Sequence, residues 1–577
     1  MRGTTGHMFG ADRLLAENCG KLTADSRQFP IMTPPYPQVL TAFNRRGVFM
    51  AEITVTIILS IAFFPNKYRQ LALMAPAELR GSTFLFKAES LLPKLTHTEE
   101  KALHVVTFKP EENTFLRYKA NVEYEASHLE KMWFASGADF ILDFETHRTG
   151  YLSFYLDARG INVDCPARLR LTFGEVPGDV VEEFYPSKSW ISTSWFPFEV
   201  INIDDLPCPV SIKRRHAFRY VRIQVLEVSN KFEICFRDIK AIAVTSANQP
   251  VPSIESPDFH TIDEVGLRTL RDCMQTVFED GPRRDRRLWL GDLRLQSLVN
   301  YVTFKNNDLV KRCLYLFAGL RTDQKIMASI YERPTAHVGG DYILDYELLF
   351  VVTVLEYVQA TGDTSTGLEL FPICQNILER NYADYIEDGI FQERPDTWYF
   401  IDWQNSLQRQ ASMQGAFVFA NKAAMKLASI LGTQTSYDDI IQELTRGALT
   451  FYNEESGVFL SSGQVSWSSQ AWMGLAQVLS PQEHVKAIQL AMADPTAVKA
   501  NTPYAYHYVL EALHINNARD DCLALAKDYF GGMVDKGANT YWEAYDENDS
   551  TFSPYDDHHN NSFCHAWSCT VSWFLRL

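Results

Sequence analysis

Ser246-Ala-Asn-Gln-Pro-Val-Pro-Ser253 divides the chain, because apolar residues recur every two positions before it and every three to four after it. Two prolines among small polar residues neither pair in a sheet nor wind into a helix, so this stretch reads as a domain boundary. On its N-terminal side Ala167-Arg-Leu-Arg-Leu-Thr-Phe173 alternates strictly, with Ala167, Leu169, Leu171 and Phe173 on one face. Arg219–Val225 and Phe232–Phe236 alternate as well. A period of two gives each strand one wet and one dry face. Several such strands between Gly and Pro turns predict an antiparallel β-sandwich over residues 100–250.

On the C-terminal side the period is helical. Gln410–Leu431 carries Phe417, Ala420, Ala424, Leu427 and Leu431 on one face, with Gly432 as its C-terminal cap. Leu344–Val358, Phe371–Leu378, Gln470–Leu479, His484–Ala493, Tyr504–Leu513 and Asp520–Phe530 read similarly. Helices joined by short loops over residues 255–577 predict helical hairpins packed in a ring or bundle.

Residues 1–99 read as an irregular N-terminal segment, with Pro30, Pro34, Pro35 and Pro37 near its start. Within it Ile53–Phe64 is an uncharged run, well short of the ~20 apolar residues that span a bilayer. It would suit a signal-peptide core if translation began at Met50, but no small-x-small cleavage site follows. A buried strand and a misplaced gene start stay open, and a membrane partner is not expected.

Bulk composition narrows the partners. With 71 acidic against 54 basic residues the net charge is −17, so phosphate backbones are repelled and nucleic acid is excluded as a partner. A neutral carbohydrate is compatible with that charge, and so is the aromatic content of 13%, since the apolar face of a sugar lies flat on aromatic rings. Ten cysteines without a CxxC pair read as mostly free, buried thiols. Two sequons, Asn548-Asp-Ser550 and Asn560-Asn-Ser562, are compatible with secretion, and the compartment, cytoplasmic or secreted, is left open.

Three patches carry the chemistry. Asp280-Gly-Pro-Arg-Arg-Asp-Arg-Arg-Leu-Trp-Leu-Gly-Asp292 begins as a turn at Gly281-Pro282 and feeds a helix near Leu293. Its carboxylates Asp280, Asp285 and Asp292 lie among four arginines and Trp289, and Gly291 would let the backbone approach a ligand closely. In Gly537-Ala-Asn-Thr-Tyr-Trp-Glu-Ala-Tyr-Asp546, Glu543 sits between Trp542 and Tyr545, where desolvation would raise its pKa and suit it to proton transfer. The third patch, Ser562–Trp567, contains His565. Glycoside hydrolysis needs an acid for the leaving oxygen and a base on the opposite face of the sugar. Two carboxylates far apart in sequence, each beside a tryptophan, meet that need.

These blocks resemble the bacterial and fungal α-L-rhamnosidases with a six-hairpin catalytic domain. The pattern Asp, x, Pro, x, Arg, acid, Arg, ending in an aromatic turn and Gly-Asp, matches residues 280–292. Asp402-Trp403, Ser469–Trp472, Thr502–Tyr504, the block at 537–543 and the Ser-x-x-His block at 562–565 follow in the family's order. Upstream, Phe140–Phe144 to Gly150-Tyr151 is similar to the β-sandwich that precedes that domain, so the likeness covers roughly residues 130–577.

The resemblance implies a β-sandwich followed by an (α/α)6 barrel and an inverting hydrolase that releases terminal α-L-rhamnose with no metal or cofactor. It puts Asp285 at the general acid and Glu543 at the general base. Asp280, Arg284 and Asp292 fall on positions that hold sugar hydroxyls, and Trp289, Asp402, Trp403, Trp542 and His565 on the substrate site. The acid position is more often Glu, so Asp285 reaches about 1.5 Å less far. Relatives usually continue into a C-terminal β domain, so the last helix is expected to lack cover. A six-hairpin glycosidase for another sugar, and a sugar-binding relative that no longer hydrolyses, are the alternatives.

Overall fold

Ala167, Leu169, Leu171 and Phe173 are buried while Arg168 faces solvent, the pattern of a strand with one dry face. This strand belongs to an antiparallel β domain. Among the described residues its strands are β1 (Thr96–Lys101), β2 (His104–Pro110), β3 (Tyr118–Glu125), β4 (Asp139–Gly160), β5 (Ala167–Gly174), β6 (Phe198–Ile203), β7 (Cys208–Ser211), β8 (His216–Glu227) and β9 (Phe232–Thr245). Their order is β1-β9-β4-β8-β5-β6, with β2 and β7 attached to β4 and β3 to β2. One core holds the inward faces of the long strands, among them Leu142, Leu156, Leu169, Val221, Ile223, Ile234 and Phe236.

The computed structural model describes residues 77–577 apart from 113, 250 and 434. The hydrophobic run Ile53–Phe64 and the proline-rich start therefore lie outside the described residues. Part of the segment read as irregular is ordered: helix α1 (Ala77–Ser90) buries Phe84 and Ala88, and β1 pairs with β9 along its length. Sequence pattern misses both for a physical reason. Phe84 and Ala88 mark a single helical turn, and Thr-His-Thr-Glu-Glu-Lys in β1 has no dry face.

After the boundary come α2 (His260–Cys273), α3 (Leu290–Val302), α4 (Asn307–Gly319), α5 (Leu344–Thr361), α6 (Thr364–Tyr385) and α7 (Gln410–Leu431). They are followed by α8 (Asp438–Leu449), α9 (Trp467–Ala476), α10 (Pro481–Ala493), α11 (Pro503–Ile515) and α12 (Arg519–Asp535). Helices α3, α5, α7, α9 and α11 pack side by side in that order. The segment Ala566–Phe574, a 3-10 turn passing into a short helix, packs on both α11 and α3 and closes the inner ring. Outside it lie α4, α6, α8, α10, α12 and α2, giving an (α/α)6 barrel. Inner α9 is buried on every side. Outer α8 buries one stripe, Ile441, Leu444 and Ala448.

Helix ends follow local chemistry. Gly432 closes α7 at φ 66°, the left-handed conformation that a side chain resists. Ser480 and Glu483 form a reciprocal capping box at the start of α10, with Pro481 in the first turn. Helix α6 begins earlier than Phe371, the start read from the sequence. Asp363 caps it by accepting from the Thr366 N–H, and it runs on through Pro372. The C-terminal segment is not short of cover either: Trp567, Cys569, Val571 and Phe574 are buried. Nine cysteines among the described residues are free, seven of them buried. No described helix is long and apolar enough to cross a membrane.

Candidate active site

The cavity at one end of the helical ring is built from the loop before α3. Asp280 is its hub: its oxygens accept from the backbone N–H groups of Asp285 (3.4 Å) and Arg287 (3.0 Å), and its carbonyl accepts from Ala566 (2.8 Å). Gly281 is required here, since a Cβ would stand 2.7 Å from the Arg284 carbonyl and 2.9 Å from Ser562 Oγ. Gly291 makes room for a neighbour rather than a ligand, because a Cβ there would lie 2.4 Å from the Tyr346 ring, itself a wall of the cavity.

The folded loop aims its charges differently from one another. Arg283 points to the β domain and donates to Asp179 (2.9 Å). Arg286 turns to the Pro282 carbonyl (2.8 Å). Arg284 is buried under the cavity, stacked on Tyr555 at 4.2 Å. Its Nη1 donates to Asp285 at 3.0 Å, and its Nη2 reaches both oxygens of Glu543 at 3.1 and 3.0 Å. The span of one guanidinium keeps the nearest oxygens of the two carboxylates within about 8 Å of each other. Arg287 Nη1 stands 3.8 Å from Asp285.

Glu543 comes from the loop after α12. It accepts hydrogen bonds from the Tyr555 hydroxyl and the Ser562 N–H (3.0 Å). Burial alone would raise its pKa, the shift expected from the sequence. The charges of Arg284 and His565 and these hydrogen bonds outweigh burial, and the pKa is lowered. His565 donates from Nε2 to Asp292 at 3.1 Å. Burial would discharge it, but Glu543, Asp292 and Asp280 push its pKa up to about 9. Asp280 moves the other way for a carboxylate: burial, then the charge of Asp285, lift it to about 7. Burial also raises Asp292, against the pull of His565.

Asp280, Asp285, Trp289, Asp292, Trp403, Glu543 and His565 all line this one cavity, joined by Tyr346, Trp398, Phe400, Tyr555 and Trp567. His565 Nδ1 and Trp403 Nε1 are buried without a hydrogen-bond partner among the described residues, so both donors are available to a hydroxyl.

Two expected site residues stand elsewhere. Asp402 accepts from the Asn501 N–H and from Thr502 Oγ1, each at 2.7 Å, and so holds the capping residue of α11. Trp542 is buried and stacks on Phe115 of the β domain, ring centroids 5.4 Å apart. Sequence reasoning also missed Tyr555. It lies in a polar loop, Ser553-Pro-Tyr-Asp-Asp557, without any period to reveal where it points. Of the two sequons, Asn548 is exposed and Asn560 is buried.

The β domain braces the site. An irregularity between Asp143 and Arg148 of β4 pushes His147 into the interface. There its Nδ1 meets Asp272 (2.7 Å) and its Nε2 meets Glu175 (3.1 Å), while Glu175 accepts from the Phe563 N–H (2.7 Å). This fixes the backbone between Ser562 and His565.

Residues 102–243 match the glycosyl hydrolase family 78 alpha-rhamnosidase N-terminal domain, and residues 253–576 the bacterial alpha-L-rhamnosidase 6 hairpin glycosidase domain. A rhamnosidase from Klebsiella oxytoca, solved with rhamnose bound, is similar at 39% identity. The match covers 86% of this chain and 98% of that one, with a TM-score of 0.82. The family 78 rhamnosidase of Bacillus sp. GL1 (19% identity, 81% and 50% covered, TM-score 0.65) shares the fold. So does the Streptomyces avermitilis α-L-rhamnosidase complexed with L-rhamnose (16%, 84% and 44%, TM-score 0.60). No curated protein matches the chain.

Proposed function

The chain belongs to the glycosyl hydrolase family 78 alpha-rhamnosidases and is a glycosidase that releases rhamnose; from that premise we propose that it cleaves terminal α-L-rhamnosides by a single displacement with inversion. Asp285 protonates the leaving oxygen, and Glu543 takes a proton from the attacking water. One observation carries this pairing: Arg284 holds both carboxylates from beneath the same ring-lined cavity.

Glu543 has the ionisation that its part in the reaction requires. A base must be ionised before the water attacks, and Arg284, His565, Tyr555 and Ser562 keep Glu543 so. The acid must carry a proton. Asp285 lines the cavity with Arg284 at 3.0 Å and Arg287 at 3.8 Å from its oxygens. Asp280 lines the cavity too, but with both oxygens occupied by backbone N–H groups it positions the loop. His565 Nδ1 and Trp403 Nε1 donate to sugar hydroxyls, and Trp289, Phe400 and Trp567 pack on the ring.

Proton NMR during hydrolysis of 4-nitrophenyl α-L-rhamnoside tests the stereochemistry. Inversion gives β-L-rhamnose as the first anomer; α-L-rhamnose appearing first would overturn the single displacement.

A further inference from the structure

We propose that the β-domain loop Tyr185–Phe196 forms a binding rim for the leaving group, with Trp190 as the platform for a flat ring, aryl or pyranose. This rests on the function proposed above.

Trp190 is 72% exposed, unusual for a side chain that gains so much from burial. Its ring lies 6.0 Å from that of Tyr555 at 63°, an edge-to-face contact that leaves most of the Trp190 side chain open to solvent. Tyr555 is a wall of the cavity and donates to Glu543. Trp190 thus stands one ring outward from the reacting groups, where a leaving group must extend once rhamnose fills the interior. The far end of the same loop reaches the loop before α3, with Trp195 5.8 Å from the guanidinium of Arg286.

The loop is held in place. Asp557, two residues after Tyr555, accepts from Ser187 Oγ (3.3 Å) and the Lys188 N–H (3.2 Å). Arg214 donates to the carbonyls of Ser194 (3.1 Å) and Phe196 (3.4 Å). An exposed aromatic on a tethered backbone loses little freedom when a ring stacks on it, which suits a binding platform and wastes apolar surface otherwise.

The test compares W190A and W190F with the unaltered protein on three substrates: methyl α-L-rhamnoside, a flavonol 3-O-rhamnoside and a rhamnosyl-glucose disaccharide. W190A should lower kcat/KM for a ring-bearing substrate at least about tenfold relative to methyl rhamnoside, mostly through KM, and W190F should recover most of it. Loss confined to the flavonol identifies an aryl ring as the occupant, and loss confined to the disaccharide a sugar. An equal change on all three substrates, or none, overturns the platform alone. An unaltered protein that hydrolyses none of them overturns the proposed function and the platform with it.

Discussion

Nη2 of Arg284 lies 3.1 and 3.0 Å from the two carboxylate oxygens of Glu543, and both side chains are buried. A buried carboxylate without such a partner would hold its proton, so this ion pair decides that Glu543 enters the reaction as a base. Because Nη1 of the same guanidinium meets Asp285, the spacing of the two carboxylates is set by one rigid planar group.

R284K tests that arrangement. A lysine is a point charge that cannot bridge two carboxylates, and it loses the stack on Tyr555 and the bond to the Asn560 carbonyl. We expect kcat/KM to fall by about 100-fold, as for a misplaced reacting group. With its counter-charge displaced, Glu543 titrates at higher pH, so the acidic limb of the pH–rate profile should move up. An unmoved limb would mean that Arg284 does not control the base.

D285N and E543Q separate acid from base by the leaving group. Without its acid the enzyme should lose about 10³-fold on methyl α-L-rhamnoside, yet recover much of this on the 2,4-dinitrophenyl rhamnoside, whose phenolate departs unaided. Without its base it should be equally slow on both. Equal recovery in the two variants, measured as kcat, contradicts the assigned roles.

The sequence carried the parts of this molecule that depend on period and on order. Alternation at Ala167–Phe173 and the apolar stripe closed by Gly432 made the strand and the helix legible, and the ordered blocks around Asp285 and Glu543 made the cavity's two carboxylates legible through resemblance. What it hid depends on direction. Asp402 and Trp542 sit inside recognisable blocks, yet one faces the start of α11 and the other the β domain. Tyr555 and Trp190 lie on loops with no period, and only the folded backbone brings them to Glu543 and to the cavity mouth. The direction of the Glu543 shift is hidden for the same reason: the rings beside it are local in sequence, while Arg284 is distant.

His565 makes stability depend on pH in a definite sense. Its folded pKa of about 9 lies above the ordinary value of 6.5, so the charged pair with Asp292 contributes fully below about pH 6.5 and is lost as pH rises through about 9. The melting temperature of the unaltered protein should therefore exceed that of H565Q most at pH 6, with the gap closing toward pH 9.5. A gap that stays constant or widens across this range would show that His565 is neutral in the folded protein.

D402N distinguishes a sugar contact from a structural one. Asp402 uses both oxygens, one on the Asn501 N–H and one on Thr502 Oγ1, and an asparagine keeps only one acceptor while adding an N–H₂ that faces a donor. Leaving a buried partner unsatisfied costs about 1–3 kcal/mol, enough to lower the melting temperature by a few degrees. Trp403, next in the chain, lines the cavity, but its position is also fixed by Asn501 Nδ2 on its carbonyl and by packing against Phe400. The expected result is a less stable enzyme with KM for 4-nitrophenyl α-L-rhamnoside within about twofold of the unaltered protein, since a carboxylate whose oxygens are taken by Asn501 and Thr502 contributes no binding energy of its own. An unchanged melting temperature with a tenfold higher KM would instead place Asp402 on the sugar.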